Sequence, residues 1–419
     1  MLGLQYHLPM DDATVIQAAP TLDPVPATVA TGINTQPGSL DDGWLIPAQL
    51  TLADTTTIQL YKDGQALHAA YDAIQHARHR ICLEVYIFRS DPTGRAFAEL
   101  LINKARSGVA VYVIYDSLGS LYSDSAMFEK MAKAGVRLAP FHPIKPWECR
   151  FGWRPANRDH RKLLIIDNDR AGLGGLNIGA EYAGSWIVPT KLAEVPWRDT
   201  AIGLRGPAVS NLLACFGRTW RYVQHGGKIS DLALFHNVHD GDFGILASVP
   251  SRSSLLKPLW NILRDARSSI LMTMSYFAPP DDLIDSLCRA ARRGVRVRLM
   301  LPALCDVRLL ITAARSFYET LLAAGVEVYE RQHAVLHAKT MCIDAQTTII
   351  GSTNLDYRSI EYNCELSVII RSPLFGQQIH TLFDHDVRHA KRITLSEWRR
   401  RPIRDRLIQW AVMRARYLL

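Results

Sequence analysis

From Ile58 onward, apolar positions alternate between helical and strand-like spacing. The stretch "GQALHAAYDAIQHARH" carries apolar residues at helical intervals, and "RICLEVYIF" reads as a buried strand rich in β-branched and aromatic residues. "GRAFAELLINKARSG" is helical again and stops at Gly108, a residue suited to a helix C-cap; "VAVYVIYD" is the next strand. Strand, helix and strand in this order predict parallel pairing with helices over the sheet, an α/β fold.

The second half repeats the plan. "LKPLWNILRDARSSILMTMSYF" parallels "LHAAYDAIQHARHRICLEVYIF", and "YETLLAAGVEVYE" parallels "FEKMAKAGVRLAP". The offset between such segments is about 190 residues, but it falls to 177 between His160 and His337. The first half therefore holds about 13 extra residues, placed most simply in "PIKPWECRFGWRPANR", which is expected to loop over the site. An internal duplication predicts two similar α/β lobes related by a pseudo-twofold axis.

Polar residues interrupt two of the apolar runs in the same way. "DHRKLLIID" sets out His160, Lys162 and Asp167; "LHAKTMCID" repeats the spacing with His337, Lys339 and Asp344. Behind them, Gly174, Gly175 and Asn177 match Gly351, Ser352 and Asn354, and Asp199 matches Glu365. Alternate residues of a strand share a face, so the His and Lys of each run point the same way. A pseudo-twofold would pool two imidazoles and two ammonium groups. That set suits a phosphodiester: one His attacks phosphorus, the other protonates the leaving oxygen and then deprotonates the acceptor. The lysines, with Asn177, Ser352 and Asn354, can hold the non-bridging oxygens without a metal or other cofactor. Asp199 and Glu365 are the candidates to orient the histidines. Asp167 and Asp344 complete the candidate catalytic motifs but are expected to act structurally, pairing with a base or capping a turn.

Composition narrows the setting. The 419 residues suffice for two domains, and a net charge of +8 favours anionic partners. Seven scattered cysteines without a CxxC fit free thiols in a reducing compartment. The first residues lack a basic start and a continuous apolar core, so no secretory leader is expected, and no run of 18 apolar residues predicts a membrane span. Residues 11 to about 45 read as a flexible lead-in.

The motifs "HRKLLIIDNDRAGLGGLN" and "HAKTMCIDAQTTIIGSTNLDYRS…NCE" resemble the paired His-Lys-Asp motifs of the phospholipase D superfamily. The likeness runs from about Ile58 onward. It implies two α/β lobes, each a mixed sheet between helices, with one shared site in which His160 and His337 are nucleophile and acid. "LEVYIF", "GGLNIGAEYAG", "WRDTAIGLRGPAV" and "GSTNLDYRS" are most similar to bacterial cardiolipin synthases without N-terminal membrane-spanning helices. The resemblance implies transfer of a phosphatidyl group between phospholipids through a phosphohistidine. Phosphatidylglycerol or phosphatidylethanolamine would be the donor and phosphatidylglycerol the acceptor. A hydrolytic phospholipase D or a nucleic-acid phosphodiesterase is the alternative, and no nucleic acid partner is expected. In "LPALCDVRLLITAARSFY" polar substrate contacts are expected but mostly apolar residues stand.

The expected organisation is a flexible segment over 1–45, lobes over 46–226 and 227–393, and a basic amphipathic C-terminal helix over 394–419. The last segment carries seven arginines, with Leu407, Trp410 and Ala411 at helical intervals. The arginines and Trp398 are expected to meet an anionic phospholipid surface, peripherally on the cytoplasmic face of the cell membrane, while Leu407 and Ala411 pack inward.

Overall fold

The computed structural model describes residues 43–150, 153–184, 187, 197–236 and 241–415. Two mixed sheets follow one plan. In the first, the strands run Thr57–Lys62, Thr200–Arg205, Arg170–Gly174, Leu163–Ile166, Arg80–Val85, Ala110–Asp116 and Arg137–Phe141, with Leu50–Thr51 on the outer edge. In the second, the same seven places are taken by Phe243–Ser248, Asn363–Arg371, Thr347–Gly351, Lys339–Ile343, Ser269–Met274, Arg296–Leu304 and Glu327–Leu336. The strands around each βαβα segment pair in parallel, and the others are antiparallel. The predicted helices are present as Gly64–Gln75 and Pro92–Arg106, the latter begun by Pro92 at its first turn and capped by Asp91.

The register fixes which positions are equivalent. Leu164 faces Gly172 as Met341 faces Ile349, and Gly203 faces Gly172 as Ile369 faces Ile349. Buried side chains from both sheets, including Leu163, Ile202, Cys342 and Leu366, pack in one apolar cluster. Two short parallel pairings tie the lobes further. Arg158–Asp159 joins Asn363–Cys364, and Trp197–Arg198 joins Val335–Leu336. These are the residues just before His160, Glu365, Asp199 and His337, so each motif histidine follows a crossing strand.

Several peripheral expectations change. Of the segment expected to be flexible, residues 1–42 lie outside the described residues, while Trp44 packs edge-on against His385 at 5.4 Å. The inserted loop is anchored where Trp153 stacks on His142 at 4.7 Å, whereas Trp147 is 80% exposed. The C-terminal segment is two helices, Leu395–Arg399 and Ile403–Ala415, parted at Pro402. Trp398, half-buried, packs against Tyr318 (4.8 Å) and under Arg401. Leu407 and Ala411, expected to pack inward, are exposed with Ile403 and Trp410. No helix among the described residues is long and apolar enough to cross a membrane.

Candidate active site

The two motifs meet through carboxylates exchanged between lobes. His160 Nδ1 lies 2.9 and 3.0 Å from the Glu365 oxygens, and His337 Nδ1 lies 2.7 Å from Asp199 Oδ2. Each imidazole thus donates to the carboxylate of the other lobe, which leaves the Nε2 lone pair for a substrate. The backbone repeats the exchange: His160 N donates to Cys364 O at 2.9 Å and His337 N to Arg198 O at 2.8 Å. Lys162 Nζ donates to the carbonyl of His160 at 2.7 Å, and Lys339 Nζ to that of His337. All six side chains are buried.

The electrostatics follow from burial and crowding. Burial, then Lys162 and Lys339, pushes His160 down to about 4 against the pull of Glu365. Burial, then Lys339 and Lys162, holds His337 well below its ordinary range, with Asp306 opposing. Each imidazole therefore feels the lysine of the other lobe, as a shared site requires. Burial also brings Lys162 down to about 7 and lowers Lys339. Burial raises Asp199 to about 6, whereas His160, Lys162 and Ser352 keep Glu365 below its ordinary value despite burial. Both imidazoles are neutral near pH 7, as a nitrogen nucleophile must be.

The remaining candidates divide. Ser352 donates to Glu365 Oε2 and accepts from Leu366 N at 2.9 Å, so it supports the carboxylate rather than facing phosphate oxygens. Asn177 accepts from Ile87 N at 3.1 Å and donates to the Tyr182 hydroxyl at 2.8 Å, which engages both ends of its amide. Asn354 accepts from Ser275 Oγ at 2.6 Å, so its nitrogen is the end that can meet a ligand. Asp167 and Asp344 are not part of the pooled set. They lie past the far ends of the motif strands. Asp167 accepts from the amides of Arg78, His79 and Arg80 at 2.7–2.9 Å, and Asp344 from those of Arg267, Ser268 and Ser269 at 2.7–3.0 Å. They clamp the turns that enter the neighbouring strands.

Sequence reasoning missed an aromatic wall and one acid. Tyr86 meets the His160 ring at 5.1 Å; Trp197, Tyr182 and Tyr276 meet that of His337 at 5.2, 5.5 and 6.5 Å. Tyr276 donates to Asp306 at 2.7 Å, and Asp306 stands in the stretch that looked mostly apolar. These residues differ between the lobes, so the internal repeat gave no signal for them, although Tyr86, Tyr182 and Trp197 stand in the stretches that carry the family resemblance. Among the described residues no group of three or more His, Cys, Asp or Glu side chains is disposed to hold a metal.

Two equivalent lobes around one centre of paired His and Lys define an enzyme of the phospholipase D superfamily. Residues 71–184 and 259–387 match the family described as "Cardiolipin synthase, PLD-like domain", and the chain belongs to that family. The cardiolipin synthase of Geobacillus kaustophilus is 33% identical over 370 residues, covering 86% of this chain and 71% of that protein. The cardiolipin synthase of Alkalihalophilus pseudofirmus is 34% identical over 356 residues, 83% and 69% respectively. Among solved structures, a phosphatidylserine synthase from Haemophilus influenzae superposes with a TM-score of 0.67 at 14% identity, over 89% of this chain and 97% of that one. A polyphosphate kinase from Porphyromonas gingivalis superposes at 0.52 with 14% identity, over 85% and 55%. At these identities the likeness is one of fold.

Proposed function

We propose that the protein is a phosphatidyltransferase that makes cardiolipin, taking a phosphatidyl group from phosphatidylglycerol or phosphatidylethanolamine and passing it to a hydroxyl of phosphatidylglycerol. The crossed pairs His160–Glu365 and His337–Asp199 carry the reading, because they put a nucleophile and an acid–base group in one buried site. The names of the relatives supply the substrate class.

The chemistry runs in two displacements. The donor's phosphodiester enters between Lys162 and Lys339, whose charges offset that of the non-bridging oxygens. His160 is the nucleophile: its Nδ1–H is held by a carboxylate that stays ionised, and Ser352 and Asn363 fix that carboxylate in turn. Nε2 bonds to phosphorus as the bond to the headgroup oxygen breaks, and that oxygen takes a proton from His337. The neighbouring Asp306 and the arriving phosphate anion both favour the protonated form of His337. The acceptor hydroxyl then gives its proton to His337 and attacks phosphorus, and the P–N bond breaks.

Peripheral membrane binding on the cytoplasmic face completes the reading. Ile403, Leu407 and Trp410 form an exposed stripe on a helix that also bears Arg404, Arg406 and Arg414. Exposed Leu121, Tyr122, Trp147 and Val307 stand on loops that follow the parallel strands of both lobes. The test is to incubate the protein with labelled phosphatidylglycerol in vesicles containing phosphatidylethanolamine, with His337→Ala as control. Cardiolipin from the unmutated protein alone is expected. Phosphatidic acid alone would make water the acceptor, and unchanged lipid would direct attention to nucleic acid.

A further inference from the structure

The two lobes share a plan but not a filling. On the outer face of the second sheet, Ile349 sits opposite Ile369, both buried, beneath Leu255 and Leu259. At the matching places of the first sheet stand Gly172 opposite Gly203, and Ala66 and Ala70 on the helix above. All four are partly exposed, although Ala70, Gly172 and Gly203 lie well inside their elements. The places of two leucines and two isoleucines hold two alanine methyls and, over Gly203, the edge of the Tyr61 ring, and a cavity of about 430 Å³ lies there. Gly172 does not owe its presence to backbone strain: its φ is ordinary, and an added Cβ would come no nearer than 3.9 Å to any neighbour.

The cavity is a trough along the strands. Leu67, Ile74, Leu83, Leu164 and Phe97 line it. Lys162 stands on its wall at the catalytic end, and Arg170 and Arg205 stand at the far end. At about 3.3 Å per residue the four steps from Lys162 to Ile166 span on the order of 13 Å, enough for much of an acyl chain. A mostly apolar lining, interrupted by Gln49, Gln59, Tyr61, Asp72 and Glu84, this shape and contact with the motif lysine fit a chain tethered to a bound phosphate. We infer that the trough takes one acyl chain of the phospholipid whose phosphate is held at Lys162, an inference that rests on the phosphatidyl-transfer reading.

The test fills the trough with the residues of the second lobe. Ala70→Leu and Gly172→Ile are each assayed with dihexanoyl and dioleoyl phosphatidylglycerol, after thermal melting shows which variants fold. Transfer from the dioleoyl lipid should fall at least about tenfold while the dihexanoyl rate holds, since each misplaced methylene is felt in an apolar pocket. Equal effects on both lipids, or none, in the folded variant would overturn the inference. Independently, phosphatidylglycerol carrying a diazirine at mid-chain should label peptides containing residues 66–73 and 170–174 of the unmutated protein, and lose them in Ala70→Leu. Labelling elsewhere overturns the trough. Labelling there without any transfer by the unmutated protein would retain the acyl site and sink the transferase reading alone.

Discussion

Glu365 lies 205 residues beyond His160, yet its two oxygens sit 2.9 and 3.0 Å from the imidazole Nδ1. The lobe that supplies a histidine never supplies its carboxylate. Glu365→Gln should therefore leave the fold intact and lower kcat by roughly a hundredfold or more, as happens when an orienting carboxylate is neutralised. KM should move only a few-fold. A kcat within threefold of the unmutated protein would remove Glu365 from the mechanism.

Burial of cations makes stability depend on pH. Lys162 is held at about 7 against an ordinary 10.5, so between these values the unfolded chain binds the extra proton. Stability then rises with pH across that window and is least below 7. His160, at about 4 against 6.5, adds the same sign between 4 and 6.5. Lys162→Met should abolish transfer, raise Tm near pH 7 by roughly 2 °C or more, and flatten its rise from pH 7 to 10. A lower Tm would mean that attraction to Glu365 and Asp199 outweighs the cost of burial.

Much of this was legible because duplication turns a weak pattern into a strong one. One His-x-Lys on a strand is ambiguous. Two, each followed by Gly-x-x-Asn and an aligned acid, pointed to two lobes, a pooled site and Asp199 and Glu365 as the candidate orienting acids. What sequence could not show was contact across lobes. That Asp199 serves His337, and Glu365 serves His160, depends on the crossing strands Trp197–Arg198 and Arg158–Asp159, each only two residues long. The C-terminal helix misled for a similar reason. Its period was right, but which face packs was decided by partners elsewhere in the chain, with Trp398 taken up by Tyr318 and Arg401.

The motif aspartates offer a contrast with the histidines. Asp167 and Asp344 have φ of 49° and 54° and each binds three backbone amides, a role repeated in both lobes. Asp167→Ala removes that clamp and keeps the strained backbone. It should cost about 1–3 kcal/mol of stability while the folded protein keeps kcat within a few-fold. Loss of kcat at a temperature where circular dichroism shows a native fold would return the residue to the chemistry.

Gly175 and Ser352 occupy equivalent places but face carboxylates of different length. Ser352 donates to Glu365, whereas a Cβ on Gly175 would lie 2.2 Å from Asp199 Oδ1. The shorter acid of the first lobe thus requires the missing side chain. Gly175→Ser should push Asp199 off His337 and lower kcat about a hundredfold, with the histidine left in place. Lengthening the acid in the same protein tests the geometry itself. Gly175→Ser with Asp199→Glu rebuilds the arrangement of the second lobe around His337 and should recover at least about tenfold of the loss, because the added hydroxyl again finds an acceptor. Simple additivity of the two defects in steady-state assays would show that the lobes are not interchangeable here, and that Gly175 serves something other than room for Asp199.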